Sequence, residues 1–333
     1  MVTPAPAPTL PGISPELQSR LDAGLAEVEA LLEARVDHAD PFIAEANAHL
    51  LGAGGKRFRP LLTLLAAELG SGIGPDIVAA AAGVELTHLA SLYHDDVMDD
   101  AYTRRGVPSA NAKYDNSTAI LVGDLLFGTA SDIIADLGPE AVKIQSQTFI
   151  RLCSGQIRDD RPCPPSEDPH GYYLGVLADK TGVLIATAAR YGALLSGCSR
   201  EVIDVLIEYG ERIGIAFQLA DDLIDISSEA DVLGKAPGTD IREGKRTLPI
   251  IYALASTDPA DARLQELLRQ LDPSDDHVAE ALDLLRGHPA MDRAQAETLE
   301  MALAAQAVLD PLPDGAVKAA LAHLALRVVQ RNQ

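Results

Sequence analysis

The stretch SLYHDDVMDDAYTRRG, residues 91–106, places four aspartates within six positions and follows them with two arginines. These residues are Asp95, Asp96, Asp99 and Asp100, then Arg104 and Arg105. On a helix, Asp95 and Asp99 would lie one turn apart, where like charges repel. A divalent cation reverses that energy, because Mg²⁺ takes carboxylate oxygens and keeps waters and substrate phosphates in its other positions. The stretch fits a metal site, and equally a solvated acidic face or a helix end.

A second stretch, FQLADDLIDI at residues 217–226, repeats the pattern with Asp221, Asp222 and Asp225. The surrounding residues are apolar, and burying carboxylates among them is costly unless they are paired or metal-bound. Two such stretches in separate apolar helices argue against an accidental surface feature. If they faced each other, they would form a cage of several cations for a polyphosphate.

Basic residues are scarce but gather in four short blocks with Gly or polar neighbours. The blocks are GGKRFRP (Lys56, Arg57, Arg59), TRRG (Arg104, Arg105), DKTG (Lys180, Thr181) and GKAPGTDIREGKRT (Lys235, Arg242, Lys245, Arg246). Loops that hold Lys and Arg suit phosphate groups, which Arg can grip in a bidentate manner. One block alone would be a solvated loop, but four blocks with two acidic stretches indicate a phosphorylated ligand. His88, about two turns before Asp95, and Gln218, three residues before Asp221, could face the same cavity.

Composition excludes several other classes. The 333 residues are 47% hydrophobic, and the net charge of −22 argues against nucleic-acid binding, although not against a small anionic substrate. Three cysteines without ligand spacing indicate reduced thiols and a cytoplasmic setting. The N-terminal stretch lacks the basic and apolar regions of a signal peptide, and no segment offers the roughly 18 uninterrupted apolar residues of a membrane span. We therefore expect no stable membrane insertion.

Helical periodicity dominates the chain, as in SPELQSRLDAGLAEVEALLEARV, where Ser14 and Pro15 resemble an N-cap and first turn. Strand alternation, repeats and long linkers are not evident. The sequence predicts a disordered Pro/Ala tail over residues 1–14 and one large all-α domain over residues 15–333.

These motifs, in this order, resemble the trans-isoprenyl (polyprenyl) diphosphate synthases from about Gly54 to Thr247. GGKRFRP is similar to the family's isopentenyl diphosphate block, and the two aspartate stretches are similar to its two Asp-rich motifs. The resemblance implies a helical bundle domain of the isoprenoid synthase type, with a central active-site cavity, and a homodimer. It also implies a prenyltransferase that condenses isopentenyl diphosphate with an allylic diphosphate.

The resemblance further implies roles for individual residues. Asp95 and Asp99 would ligate two Mg²⁺ ions and Asp221 a third, with Asp96, Asp222 and Asp225 as supporting members of the metal site. Arg104, Lys180, Gln218 and Lys245 would hold the allylic diphosphate, with Thr181 and Lys235 nearby. Lys56, Arg59, His88 and Arg105 would hold isopentenyl diphosphate. The catalytic set would be Asp95, Asp99, Lys180, Asp221 and Lys245.

Product length depends on what blocks the growing chain below the first aspartates. The residues four, five and eight positions before Asp95 are Ser91, Ala90 and Thr87, all small. Small residues at these positions would leave open a tunnel for the growing chain below the first aspartates. An open tunnel favours a product longer than twenty carbons, which would suit a quinone side-chain precursor. If another residue such as Phe127 closes the tunnel, the alternative is a geranylgeranyl diphosphate synthase.

Two more distant alternatives remain. A terpene cyclase would share the fold and one Asp-rich motif, but it should lack GGKRFRP and the second DDxxD stretch. A non-catalytic synthase subunit would typically lose one aspartate cluster.

Overall fold

The computed structural model describes residues 13–227 and 237–330. Within these ranges all the regular secondary structure is helical apart from one short hairpin, so the predicted all-α class is confirmed. The hairpin pairs β1 (Thr103–Arg104) antiparallel with β2 (Val107–Pro108). Sequence reasoning did not find it, because two-residue strands are too short to show alternation.

The helices up to residue 227 are α1 Pro15–Val36, α2 Pro41–Gly52, α3 Phe58–Ala67, α4 Pro75–Met98, α5 Ala110–Lys113, α6 Asn116–Ala135, α7 Pro139–Asp159, α8 Pro169–Leu177, α9 Val183–Leu195 and α10 Arg200–Ser227. A π-helical turn, Ala178–Gly182, joins α8 to α9. The later described helices are Thr239–Arg242, Leu248–Leu254, Ala262–Leu268, Asp275–Arg286, Pro289–Val308 and Ala316–Arg327, with a 3₁₀ turn at Pro259–Asp261.

The start of α1 follows its sequence signals. The Ser14 hydroxyl accepts a hydrogen bond from the Leu17 N–H at 3.2 Å, and Pro15 occupies the first turn. This confirms the predicted N-cap, because Ser satisfies an amide that has no partner within the helix. Residues 1–12 of the predicted tail lie outside the described residues.

The chain packs as two compact units. Unit 1 contains the described residues of Met1–Phe149, Leu184–Gly210 and Pro311–Leu321, and unit 2 those of Ile150–Val183, Glu211–Asp310 and Ala322–Gln333. The first aspartate stretch belongs to unit 1 and the second to unit 2. The single domain with a central cavity stays a prediction.

In unit 1, α4 and α6 pack antiparallel with two close approaches at glycines. A Cβ at Gly83 would lie 2.8 Å from Cδ1 of Ile134, and one at Gly123 would overlap the His94 ring. His94 is thereby held against α6, where its Nε2 lies 3.1 Å from the Ile120 carbonyl oxygen. This packing fixes the end of α4 that carries the first aspartates.

By length and composition alone, α6 could also cross a membrane. Its apolar window is 39% buried, and a core helix of a soluble protein meets the same criterion. Ala119, Val122, Leu126, Ala130 and Ile133 of α6 contribute to the apolar core of unit 1.

The core of unit 2 is built largely from the end of α10 and the helices after it. Leu219, Leu223 and Ile226 of α10 pack there with Tyr173 of α8 and with Leu248, Ile250 and Leu282. The apolar side of α10 is thus buried, and its aspartates project from a fixed helix.

Candidate active site

The four aspartates of the first stretch differ in accessibility. Asp96 is fully buried, Asp95 is half-buried, and Asp99 and Asp100 are exposed. Helix α4 ends at Met98, so Asp99 is its C-cap, and Asp100 has a left-handed backbone with φ of 47°. Asp95, Asp99 and Asp100 are therefore the carboxylates of this stretch that an ion can reach.

Arg104 is paired with the buried member of the stretch. Its Nη2 lies 2.6 Å from Oδ1 of Asp96, and its Nε donates to the same oxygen at 2.7 Å. Burial raises the pKa of the Asp96 carboxyl, and the Arg104 charge opposes that rise. Asp96 thus anchors the β1 arginine beside Asp95, which agrees with a supporting role.

The GGKRFRP block contains one arginine that is already committed to protein carboxylates. Arg57 donates to Glu29, and its Nη1 lies 3.0 Å from Oε1 of the buried Glu85. Its φ of 44° places the backbone in the left-handed region. Arg57 therefore shapes the block, whereas Lys56 is exposed and Arg59 half-buried.

Arg105 crosses the same block. Its Nη1 donates to the carbonyl oxygens of Gly54 and Leu50, and a Cβ at Gly55 would lie 3.0 Å from that nitrogen. Glycine at position 55 leaves room for the guanidinium groups of Arg57 and Arg105 to pass. Arg105 therefore uses one nitrogen to fix the loop after α2.

His88 lies among these arginines. Burial lowers the pKa of His88 well below its usual range, and the charges of Arg59, Arg105, Arg104 and Arg57 lower it further. Burial also lowers the pKa of Arg59 to about 10, so this guanidinium stays charged at neutral pH. The structure therefore brings Arg59, His88, Arg104 and Arg105 together in one cationic cluster whose histidine is neutral.

The second aspartate stretch is held by a hydrogen-bonded chain inside unit 2. Tyr173 of α8 donates to Oδ2 of Asp222, Gln218 Nε2 donates to Oδ1 of Asp222 at 2.9 Å, and Thr181 donates to Gln218 at 3.4 Å. Burial raises the pKa of Asp222, although both donors oppose the rise, and the Asp221 charge adds to it. Asp222 is thus an internal anchor, and Asp221 is the more accessible neighbour.

Asp225 fixes the segment that carries Lys245. Its Oδ2 accepts a hydrogen bond from the Asp240 N–H at 3.1 Å, and the Lys245 N–H donates to the Asp240 carbonyl at 2.8 Å. Asp225 is 2% exposed. Its contacts agree with a supporting role for this aspartate.

The ammonium groups of Lys180 and Lys245 meet at a carboxylate that sequence reasoning missed. Lys180 Nζ lies 2.8 Å and Lys245 Nζ 3.0 Å from Oδ2 of Asp159, the last residue of α7. In the sequence, Asp159 and Asp160 stand between arginines in RDDR and look like a solvated helix end. The one available signal was a further pair of adjacent aspartates.

Glu85 and Tyr173 were missed as well. Glu85 is a lone acid in the apolar run of α4, which is a sign of a buried ion pair. The predicted Lys235 lies outside the described residues.

The three residues proposed to govern product length are all at least half-buried in α4. Ala90 is fully buried in the apolar core of unit 1, and the Ser91 hydroxyl donates to the His88 carbonyl at 2.8 Å. Thr87 accepts a hydrogen bond from Gln145 of α7 at 2.7 Å. Phe127 packs against Phe149 with ring centroids 4.4 Å apart.

The donor set fits magnesium. Among the described residues, no three His, Cys, Asp or Glu side chains form a cluster that would hold a metal by themselves. Mg²⁺ is usually bound by one or two carboxylates together with substrate phosphates, and not by a complete protein cage. Asp95 with Asp99, and Asp221 separately, would supply the carboxylate oxygens that such an ion requires.

Comparison with known proteins agrees with this chemistry. Residues 40–285 match the polyprenyl synthetase family. A nonaprenyl diphosphate synthase from Mycobacterium tuberculosis is 48% identical over 313 residues, which is 93% of each chain.

Solved structures match over nearly the whole length. A geranylgeranyl pyrophosphate synthase from Corynebacterium glutamicum, complexed with calcium and isoprenyl diphosphate, has 42% identity and a TM-score of 0.86, covering 97% of this chain and 99% of that one. A decaprenyl diphosphate synthase from Rhodobacter capsulatus has 34% identity and a TM-score of 0.87, covering 96% and 99%. The chain belongs to the polyprenyl synthetase family, with the all-α isoprenoid synthase fold and the prenyltransferase class of that family.

Proposed function

We propose that the protein condenses isopentenyl diphosphate with an allylic diphosphate to make an all-trans polyprenyl diphosphate longer than twenty carbons. The observation that carries the proposal is the pairing of two DDxxD stretches with separate basic groups. In unit 1 the arginine cluster adjoins the first stretch, and in unit 2 two lysines converge near the π turn. A polyprenyl diphosphate of this length would serve as the precursor of a quinone side chain.

Members of this family depend on Mg²⁺. Asp95, Asp99 and Asp221 would hold the metal, three ions in total, while Asp96, Asp222 and Asp225 support them through the contacts described above. When bound, the metal neutralises charge on the diphosphate leaving group. Incubation with EDTA should abolish product formation, and added Mg²⁺ should restore it.

The chain's own cations orient the two substrates. Arg104, Lys180, Gln218 and Lys245 hold the allylic diphosphate, with Thr181 and Lys235 near it. The negative charge that develops as the allylic C–O bond breaks therefore meets fixed cations. Lys56, Arg59, His88 and Arg105 hold isopentenyl diphosphate, whose double bond then attacks the allylic carbon. The proton lost in this step goes to the departing pyrophosphate. This chemistry requires no protein nucleophile.

Two observations support a long product. The chain is 48% identical to a nonaprenyl diphosphate synthase. The positions four, five and eight before Asp95 are Ser91, Ala90 and Thr87, and none of them is aromatic. The second candidate, a geranylgeranyl diphosphate synthase, is favoured by the similarity to the C. glutamicum enzyme and by the Phe127–Phe149 contact. Chromatography of the product from labelled isopentenyl diphosphate separates the two, because a product that stops at twenty carbons would overturn the long-chain proposal.

The same assay with the purified single chain tests the reaction itself. A terpene cyclase would release a hydrocarbon or alcohol and leave isopentenyl diphosphate unused. A non-catalytic subunit would make no product until a second chain was added. Elongation by the single chain would exclude both alternatives.

We also propose that the enzyme is a cytoplasmic homodimer without stable membrane insertion. Unit 1 exposes large apolar side chains on α6 and α7, namely Ile120, Leu121, Leu125, Val142 and Phe149. Leu121 is 66% exposed, and burying such a surface against a second copy is favourable by roughly 25 cal/mol per Å². Light scattering of the wild type and of a Leu121→Asp, Leu125→Asp variant tests this, since the variant should be monomeric.

A further inference from the structure

One carboxylate oxygen in unit 2 receives two ammonium groups that come from different parts of the chain. Asp159 ends α7, Lys180 lies in the π turn, and Lys245 lies in the loop after Thr239–Arg242. Both Nζ atoms contact Oδ2 of Asp159, at 2.8 and 3.0 Å. Lys245 also lies 3.1 Å from Oδ1 of the more exposed Asp160.

The surroundings make this contact electrostatically important. The side chains of Asp159 and Lys245 are 19% and 21% exposed, so water screens them only partly. Burial alone would raise the pKa of Asp159, but Lys180 and Lys245 outweigh it, and the pKa lies below its usual range. Asp159 is therefore a charged carboxylate at neutral pH. Without it, two ammonium groups in close proximity would repel each other.

Contacts that do not involve Asp159 also fix this geometry. Gly155 lies one turn before Asp159 and packs closely against the π turn. A Cβ at position 155 would be 2.5 Å from the main-chain nitrogen of Lys180. Arg151 and Arg158 of α7 hold the neighbouring Asp179 at 2.8 and 3.4 Å. The end of α7 thus positions both the main chain and the ammonium group of Lys180.

We propose that Asp159 is a positioning residue that gathers Lys180 and Lys245 at one point before substrate binds, and that an incoming diphosphate then replaces its carboxylate. The inference rests on the proposed function of the two lysines as diphosphate ligands. A diphosphate carries more charge and more acceptor oxygens than one carboxylate, so it can take over both contacts. Asp159 would then lower the reorganisation needed when the substrate arrives.

Asp159→Asn tests this because it keeps the side-chain shape and removes the charge. We expect kcat to fall about ten- to a hundred-fold, since small misplacements of a catalytic group are costly. The KM for the allylic diphosphate should stay within about three-fold of the wild-type value, because a competing anion is lost while the lysines remain. Asp159→Glu, which restores the charge, should recover part of kcat.

The controls are other carboxylates of unit 2 that pair with basic groups. Asp160→Asn removes a single contact to Lys245 and should lower kcat less than Asp159→Asn does. Glu280→Gln breaks an exposed pair with Arg263 and should leave the kinetics unchanged. If circular dichroism shows that Asp159→Asn does not fold, Asp159→Glu is tested in its place. Its longer side chain displaces the carboxylate, so its kcat should lie below the wild-type value.

The outcomes separate the two proposals. A wild-type chain that transfers no prenyl group overturns the proposed function. An active wild type with a folded Asp159→Asn variant whose kcat equals that of Glu280→Gln overturns only the role of Asp159. Where Asp159→Asn does not fold, an Asp159→Glu variant with the same kcat as the wild type likewise overturns that role.

Discussion

The hydroxyl of Tyr173 donates a hydrogen bond to the carboxylate of Asp222, and both side chains are buried. The bond joins α8 to α10 within unit 2. Because Asp222 precedes Leu223 in the core and follows the more accessible Asp221, the bond fixes the helix face from which Asp221 projects. A supporting aspartate is thus held by a tyrosine that lies outside both aspartate stretches.

Tyr173→Phe should lower both stability and turnover. Loss of the donor leaves a buried carboxylate oxygen without its partner, which costs about 1–3 kcal/mol of the free energy of unfolding. It should also raise the pKa of Asp222 further, so that less of the carboxylate is charged beside Asp221. Chemical denaturation and steady-state kinetics measure the two effects.

Tyr191→Phe is the matched control, because the buried Tyr191 hydroxyl donates to the Ala141 carbonyl at 2.7 Å, away from both aspartate stretches. It should lose stability without losing kcat. Equal kcat values for the two variants would contradict the role given to Tyr173.

Gly155→Ala should displace the π turn. The added methyl group would lie 2.5 Å from the main-chain nitrogen of Lys180 and 2.8 Å from the carbonyl carbon of Asp179. The backbone of the π turn or of α7 must therefore move. We expect about 1–3 kcal/mol of destabilisation from overpacking and at least a roughly ten-fold loss of kcat. Thermal unfolding and prenyl-transfer assays give both values.

Gly128→Ala provides the comparison for Gly155→Ala. Gly128 is exposed in α6 with nothing within 4 Å of an added Cβ, so alanine should raise helix stability by up to about 1 kcal/mol. Its kcat should not change. A Gly155→Ala enzyme as active as Gly128→Ala would show that the close approach does not matter for Lys180.

His88 should make stability depend on pH. The pKa of His88 in the folded state lies below the unfolded value near 6.5, so the unfolded chain binds an extra proton as the pH falls past that value. Stability is therefore fully present above about pH 6.5 and is lost as the pH falls toward the folded-state pKa, by at most about 1.4 kcal/mol per pH unit.

The comparison of wild type with His88→Gln isolates this effect, because the other titrating groups are common to both proteins. Urea denaturation from pH 7.5 to pH 5 should show the wild type losing stability relative to the variant. A constant difference across that range would mean that His88 takes up its proton normally in the folded state.

Ala90→Phe should shorten the product. The ring would enlarge a fully buried position one turn and a half before Asp95, and overpacking should also cost about 1–3 kcal/mol. Ala82→Phe enlarges another fully buried position of α4 in the same core, so it controls for the stability cost alone. Product chromatography should show shortening for Ala90→Phe only, and identical products from both variants would remove the tunnel-floor hypothesis.

The helices and the two aspartate stretches were predictable because their signals are local. The Ser14–Pro15 start, the 3.6-residue apolar period and the repeated DDxxD spacing can each be read from neighbouring residues. The π turn at Ala178–Gly182 was not predicted, because a single five-residue turn is too short to show a period of its own.

Which aspartates of each stretch are buried and which stay accessible depends instead on their tertiary neighbours. Asp96 is buried because Arg104 reaches it from the hairpin, and Asp222 because Tyr173 reaches it from α8. Asp159 escaped notice for the same reason, as both lysines that contact it are distant in sequence. Spacing identified the carboxylates, whereas packing decides which of them stay accessible.

The neutral state of His88 has a consequence for how unit 1 attracts anions. Because the imidazole is uncharged, the positive field around it comes from guanidinium groups. Even Arg59, whose pKa is lowered to about 10, keeps its proton up to about pH 9. The pull on a phosphorylated ligand should then vary little with acidity. It should weaken as dissolved electrolyte shortens the reach of these charges, to about 10 Å at 0.1 M.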